Sequence, residues 1–427
     1  MLRIEDLGVT LREAILSNGC KLVLFERPGM PLAINVIFLS GSRFDKIGKE
    51  GTAHFLEHMI VAGSNRFPSK DKLATYIEQY GGVFSASTTT DTMNVWISIG
   101  DPADMSKAFD VLHEMLLEPT FEDKTLETER GSILRELGQT KSTPQGLVRM
   151  MYNTLFFQST ELNRPVLGSE ESINATTKED VIEFYKNNLV SGRMILVVSG
   201  GVKLEDLIKE CENKILLPQT PRLILNKELP VIRKKTVMIE YDKNTDKANF
   251  TFGFRIVGGK NADIPALRVI ANIIGGGRAS TLSKKLRYER GLVYGVSAGA
   301  NTLSDAGFMW IQTSVLKEKL QETLDIITGE MKRIVDEGLT HEEVSFAKNK
   351  IVKSKRMQMQ SSESWVEFPD YIDVAGDKIS TLSDYVEEIE AVTIEDTKRV
   401  AQKYFTSSNW YLTVHGNIKE DEIKINL

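Results

Sequence analysis

The hydrophobic pattern changes period several times along the chain. Lys21–Glu26 and residues 33–40 are β-rich runs, and residues 83–87 and 94–99 lie in a Thr-rich, β-branched neighbourhood that suits a pleated sheet. Residues 103–117 place apolar side chains at helical spacing, and residues 121–140 predict a long charged helix whose N-terminus lies near Glu122 and Asp123. Strands come in groups and helices in groups, which favours an α+β fold over an alternating parallel sheet.

The same pattern is met twice. Thr177-Lys178-Glu179-Asp180 opens a helical stretch that leads into the strand-like residues 193–200. Thr393-Ile394-Glu395-Asp396 opens a similar stretch that leads into Trp410–Gly416, each feature lying 216 positions after its counterpart. Gly82-Val83-Phe84-Ser85-Ala86-Ser87 is echoed by Leu292-Val293-Tyr294-Gly295-Val296-Ser297 at a slightly different offset, as insertions would cause. Two echoes in the same order indicate internal duplication. Between the halves Pro218, Pro221 and Pro230 mark a linker or extended edge. The boundary is set near residue 225, giving halves 1–225 and 226–427.

Composition narrows the class. A chain of 427 residues is long enough for two to four domains. Hydrophobic residues at 41% and charged residues at 26% describe a soluble globular protein, and a net charge of −6 argues against a nucleic-acid partner. Cys20 and Cys211 form no metal-ligand pair and no disulfide scaffold, which fits a reducing compartment. Met1-Leu2-Arg3-Ile4-Glu5-Asp6 lacks the basic and apolar runs of a signal peptide, and no apolar window is long enough to span a membrane. The expectation is a cytoplasmic protein with no membrane partner.

Of five histidines, two fall in one turn, His54-Phe55-Leu56-Glu57-His58. This is H-x-x-E-H, the inverse of the H-E-x-x-H zinc-peptidase signature. Residues four apart share a helix face, so two imidazoles can address one metal ion, with Glu57 beside them to take a proton from water. A catalytic zinc needs a third protein ligand and an open position. Glu129 and Glu136, seven apart on the predicted charged helix, share a face, whereas Glu127 points elsewhere. Spacing does not choose between Glu129 and Glu136.

The H-x-x-E-H, followed by Glu129-Arg130-Gly131-Ser132-Ile133-Leu134-Arg135-Glu136, resembles the M16 metallopeptidases, the family of pitrilysin, insulinase and the mitochondrial processing peptidase. Gly275-Gly276-Gly277-Arg278-Ala279-Ser280 and Leu286-Arg287-Tyr288-Glu289-Arg290-Gly291-Leu292-Val293-Tyr294 resemble that family's non-catalytic half. The length matches its shorter, two-domain bacterial type. The resemblance implies two pseudo-symmetric halves of antiparallel sheet packed with helices, forming a clamshell with a partner subunit.

It also implies roles. His54, His58 and Glu136 hold one Zn2+ per chain, Glu129 supports the ligands from behind, and Glu57 is the general base. Arg287 and Tyr294 reach the substrate carbonyl from the second half. Ser85 and Ala86 stand where family members often have Asn-Ala on the strand that pairs with substrate backbone, a pairing that does not require the Asn side chain. In the second half, Ala347 and Ser354 align with Glu129 and Glu136, so that half holds no metal. His113, His341 and His415 have no spaced partners and read as structural or surface residues. The implied activity is zinc-dependent endopeptidase action on unstructured peptides held as an added strand in a closed chamber. Because one chain carries both motifs, a homodimer is expected, with a heterodimer beside a paralogue as the alternative. A non-catalytic partner subunit and a processing peptidase are the competing functions. The complete H-x-x-E-H and distal Glu argue against the first, and the short glycine run argues against the second.

Overall fold

In a computed structural model, residues 7–225, 229–369 and 379–427 are described, so Met1 to Asp6, on which the absence of a signal peptide was read, lie outside them. Two compact units emerge: Met1–Leu137 with Arg164–Ile224 and Arg356–Asp384, and Gly138–Asn163 with Leu225–Lys355 and Tyr385–Leu427.

The first unit is built on a sheet of six strands, β1 (Thr10–Ile15), β2 (Lys21–Glu26), β3 (Leu32–Phe38), β4 (Val83–Thr88), β5 (Met93–Ile99) and β6 (Met194–Gly200). Their spatial order is β1-β2-β6-β3-β5-β4. β2, β3 and β6 are buried along their whole length, which explains why their sequences are mostly apolar with no alternation. The second unit contains β7 (Val237–Tyr241), β8 (Lys247–Ile256), β9 (Val293–Thr302), β10 (Gly307–Leu316) and β11 (Trp410–Gly416), in the order β7-β11-β8-β10-β9.

That order repeats β2-β6-β3-β5-β4 strand for strand. The repeat includes one parallel pair in each sheet, β2 with β6 and β11 with β7; the other pairings are antiparallel. The expected α+β halves of antiparallel sheet are thus found, each with one parallel pair added. The last strand of each half returns after a helical crossover, and only such a long connection allows parallel pairing.

The helices are α1 (Thr52–Ala62), α2 (Lys70–Glu78), α3 (Met105–Leu117), α4 (Asp123–Lys141), α5 (Pro144–Phe156), α6 (Glu170–Ala175), α7 (Lys178–Asn188), α8 (Leu204–Lys214), α9 (Ile264–Gly275), α10 (Leu320–Asp336), α11 (His341–Gln358), α12 (Ser362–Glu367), α13 (Leu382–Ala391) and α14 (Ile394–Tyr404). The duplicated Thr signals are helix caps. The Thr177 hydroxyl accepts from the Asp180 amide while Asp180 accepts from the Thr177 amide, and Thr393 and Asp396 repeat the arrangement.

The boundary expected near residue 225 separates the strands of the two sheets, but two helices lie on the other side of it. α12, from the second half of the sequence, packs on β3 and β6, with Trp365 fully buried against Phe25 at 5.3 Å between ring centroids. α5, from the first half, packs on β8 and β11, where Phe156 meets Tyr411 at 5.0 Å. Each sheet thus takes part of its core from the other half of the sequence.

α1 begins at Gly51, whose φ of 94° is a left-handed conformation that favours glycine. The helix has no capping side chain of its own. Asp45, six residues earlier, supplies one: Oδ2 accepts from the Gly51 amide and Oδ1 from the Ala53 amide, both at 2.8 Å. Burial pushes the Asp45 carboxyl up to about 7, against the pull of those two amides and of Arg164. Asp45→Ala leaves two buried amides without their acceptor and is expected to cost about 1–3 kcal/mol. Denaturant unfolding followed by circular dichroism checks this, and a midpoint unchanged from wild type would contradict it.

Candidate metal centre

α1 is buried along most of its length, so its third and seventh residues, His54 and His58, are held inside the first unit. Their rings stand edge to face with centroids 4.7 Å apart. The helical spacing accounts for this pairing by itself; the carboxylates come from α4. Glu136 Oε2 lies 3.6 Å from His54 Nε2 and 3.6 Å from His58 Nε2. Glu129 Oε2 lies 2.8 Å from His58 Nδ1, on the opposite side of the ring. Glu127, as its helical angle requires, turns away and pairs with Arg130. The guanidinium of Arg130 stacks 5.2 Å from the Phe55 ring and donates to the carbonyls of Ile173 and Thr176, fixing α4 against α1.

Ligand atoms of His54, His58 and Glu136 all lie within 4.8 Å of one another. Zinc–nitrogen and zinc–oxygen bonds of ~2.0–2.2 Å place tetrahedral ligands roughly 3.3–3.5 Å apart, close to the separations seen. Glu136 is half exposed while His54 is buried, so the cluster has an open side. The residues therefore fit a zinc ion. Glu129 has the position from which a carboxylate sets the tautomer of a ligating imidazole.

Electrostatics separate the two histidines. Burial lowers His54, and the neighbouring His58 lowers it further, to about 4. Burial pulls His58 down as well, but its hydrogen bonds to Glu129 and Glu136 win and raise it to about 9. Glu57 points to the same region. Burial raises its carboxyl, opposed by a 2.6 Å hydrogen bond from the Thr88 hydroxyl to Oε2 and by His58.

Ser85 and Ala86 lie on β4, an edge strand that pairs only with β5 among the described strands. Ala86 shares with Phe84 and Thr88 the face toward α1, and Ser85 points to the other face. Asp45 and Thr88 were missed from the sequence. Neither belongs to a spaced motif; only the alternation of β4 hints that Thr88 faces α1.

In the second unit Arg287 and Tyr294 come together. The residues Ser283–Tyr288 form a wide π-helical turn that ends where Gly291, at φ 63°, donates to the Arg287 carbonyl. The Arg287 guanidinium stacks 5.0 Å from the Tyr294 ring centroid. Tyr294 is 90% exposed, unusual for a large aromatic in a strand. The register gives the reason: Val293 pairs with Val315 and Val296 with Thr313, so Tyr294 and Gly295 together oppose Ser314 in a β-bulge. Beside the bulge, Tyr294, Lys247, Asn249 and Gln312 help to line a cavity of about 560 Å³.

α9 is the second unit's counterpart of α1. It packs on β9 as α1 packs on β4, yet its third and seventh residues are the buried Ala266 and Ile270. Ala347, aligned with Glu129, is also buried. His113 donates through Nδ1 to the Lys214 carbonyl at 2.7 Å, as a structural residue does.

Known proteins match both halves. Residues 27–170 fit the model of the insulinase family, peptidase family M16, and residues 175–351 fit that of the M16 peptidase inactive domain. An uncharacterized zinc protease of Bacillus subtilis is 24% identical over 390 residues, covering 91% of this chain and 94% of that protein. The mitochondrial-processing peptidase subunit beta of Lentinula edodes is 27% identical over 428 residues, covering 97% of this chain and 91% of that protein. Among solved structures, a protease from Helicobacter pylori superposes with a TM-score of 0.87 at 18% identity, covering 95% of this chain and 99% of that one. An M16 inactive domain from Pseudomonas fluorescens gives 0.84 at 18% identity, covering 96% and 98%. With family models matched in sequence order and the duplicated fold shared, the chain belongs to the M16 family of peptidases, in its shorter two-domain form.

Proposed function

We propose that this chain is a zinc-dependent endopeptidase acting on unstructured peptides held as an added β-strand. The observation that carries this reading is the approach of Glu136 to the Nε2 atoms of both His54 and His58, with Glu57 beside them. His54, His58 and Glu136 would hold the ion, and Glu129 would fix His58. Zinc bound there would polarise a peptide carbonyl and acidify water. Glu57 takes the proton of the attacking water and returns it to the leaving amine, a role served by a carboxyl that burial has made more basic. The unpaired edge of β4, including Ser85 and Ala86, offers backbone groups to an extended peptide. Arg287 and Tyr294 supply donors to the carbonyl oxygen as it becomes negative. We assign a homodimer enclosing the chamber, in the cytoplasm. The match to a processing-peptidase subunit named beta favours a second reading, pairing with a different chain. Light scattering and peptide cleavage by the purified chain separate the two: an active dimer supports the first, an inactive monomer the second.

The charges of the metal-free cluster set how zinc binds. With His58 near 9 and His54 near 4, the pair carries one proton at neutral pH, on His58. Zinc must displace it, so its binding tightens as pH rises toward 9 and about one proton is released per ion at pH 7. Calorimetry in buffers of different ionisation enthalpy measures that number. Purified protein is expected to hold about one zinc per chain, and His54→Ala or Glu136→Gln to lose most of it. Full zinc in Glu136→Gln, with loss in Glu129→Gln, would exchange the two carboxylate roles.

Glu57→Gln is expected to retain zinc and lower peptide cleavage by about 10²–10⁴-fold. Wild-type turnover in that zinc-loaded variant would sink the mechanism. Tyr294→Phe keeps the ring and deletes the hydroxyl; a drop in kcat of roughly 10²–10³-fold at constant zinc content is expected if it donates to the oxyanion.

A further inference from the structure

The proposed base is held by a residue outside every recognised motif. Thr88 is the last residue of β4 and pairs with Met93. Its hydroxyl donates to Glu57 Oε2 at 2.6 Å, the short distance of a hydrogen bond to a charged acceptor. Both partners are partly buried. Among the described residues no other side chain donates a hydrogen bond to the Glu57 carboxyl. Threonine is stiff about χ1 because it is β-branched, and here its backbone is fixed in a ladder, so the hydroxyl has little freedom. With Oε2 occupied, Oε1 is the oxygen left to accept a proton.

We infer that Thr88 is a positioning residue that orients Glu57 for proton transfer and links the base to the edge strand on which substrate pairs. This rests on the peptidase reading above. β4 then has two functions at once. Its outer edge is unpaired among the described strands, and its face toward α1 carries Thr88. A peptide added to that edge lies along the strand that aims the base, so the geometry of the bound backbone and of Glu57 is set by one element.

Three features separate this from a merely structural hydrogen bond. A lost packing contact would act on folding, whereas a misaimed base acts on kcat. Thr88→Val is isosteric and removes only the donor. Thr88→Ser restores the donor on a less rigid side chain. In zinc-loaded protein, Thr88→Val is expected to lower kcat by roughly 10–100-fold, as loss of a hydrogen bond to a charged group implies, while KM stays within about 2-fold. Thr88→Ser is expected to recover most of the loss. Combined with Glu57→Gln, Thr88→Val is expected to cause no further loss, because it acts only through the carboxylate.

A readout besides activity is the crystal structure of zinc-loaded Thr88→Val, expected to show the Glu57 carboxylate rotated away from its wild-type position. Zinc content and thermal melting of both variants control for folding. If wild type cleaves peptides and Thr88→Val keeps its kcat, or its Glu57 stays in place, the inference is overturned while the peptidase reading stands. If zinc-loaded wild type cleaves no peptide, that reading fails and takes this role with it.

Discussion

Two carboxylates of α4 are pressed against two imidazoles of α1, with a third carboxylate, Glu57, alongside, and the rest of the first unit is arranged to tolerate this. Burial raises the Glu57 carboxyl, and although burial also pulls His58 down, its hydrogen bonds to Glu129 and Glu136 carry it up to about 9. Charges of like sign at such distances are costly where the dielectric is low. Arg130 relieves none of this directly, since it pairs with Glu127 and holds backbone carbonyls. A divalent cation held by His54, His58 and Glu136, as proposed above, would offset the crowding of carboxylates around the two imidazoles.

Holding such a cluster requires rigidity from outside it. Asp45 closes the N-terminus of α1, Arg130 locks α4 to Phe55, and Thr88 steadies Glu57 from the sheet. Asp45 comes from the loop just before α1, whereas Arg130 and Thr88 come from distant places in the chain. His54 is an exception: its Nδ1 is buried with no hydrogen-bond partner among the described residues, so that side of the ring is held by packing.

The duplicated fold explains how equivalent helix positions can be charged in one half and apolar in the other. The same strand order supports both sheets, and α9 buries Ala266 and Ile270 where α1 carries His54 and His58. Without the His-Glu cluster, the second half differs also at its edge strand, where a bulge turns Tyr294 outward beside Arg287. Exchange of α5 and α12 between halves of the sequence makes each core depend on the other half.

The sequence by itself determined what depends on residues a few positions apart. The pairing of His54 with His58 follows from helical period, the Thr177 and Thr393 caps from a motif of four residues, and the duplication from a constant offset. The long charged helix was legible to within two residues, because charged residues recur along its length around the buried Leu126, Ile133 and Leu137. Tertiary structure alone decided the rest. Glu129 and Glu136 share a helix face and were equivalent by spacing; only the approach of α4 to α1 puts one at Nδ1 and the other at Nε2. The parallel pairing of β6 with β2, the crossing of α5 and α12, the reach of Asp45 and the aim of Thr88 all join residues whose order along the chain carries no local period. Contacts of that kind are settled by which surfaces can be buried together, and a reading of neighbours along the sequence does not contain that information.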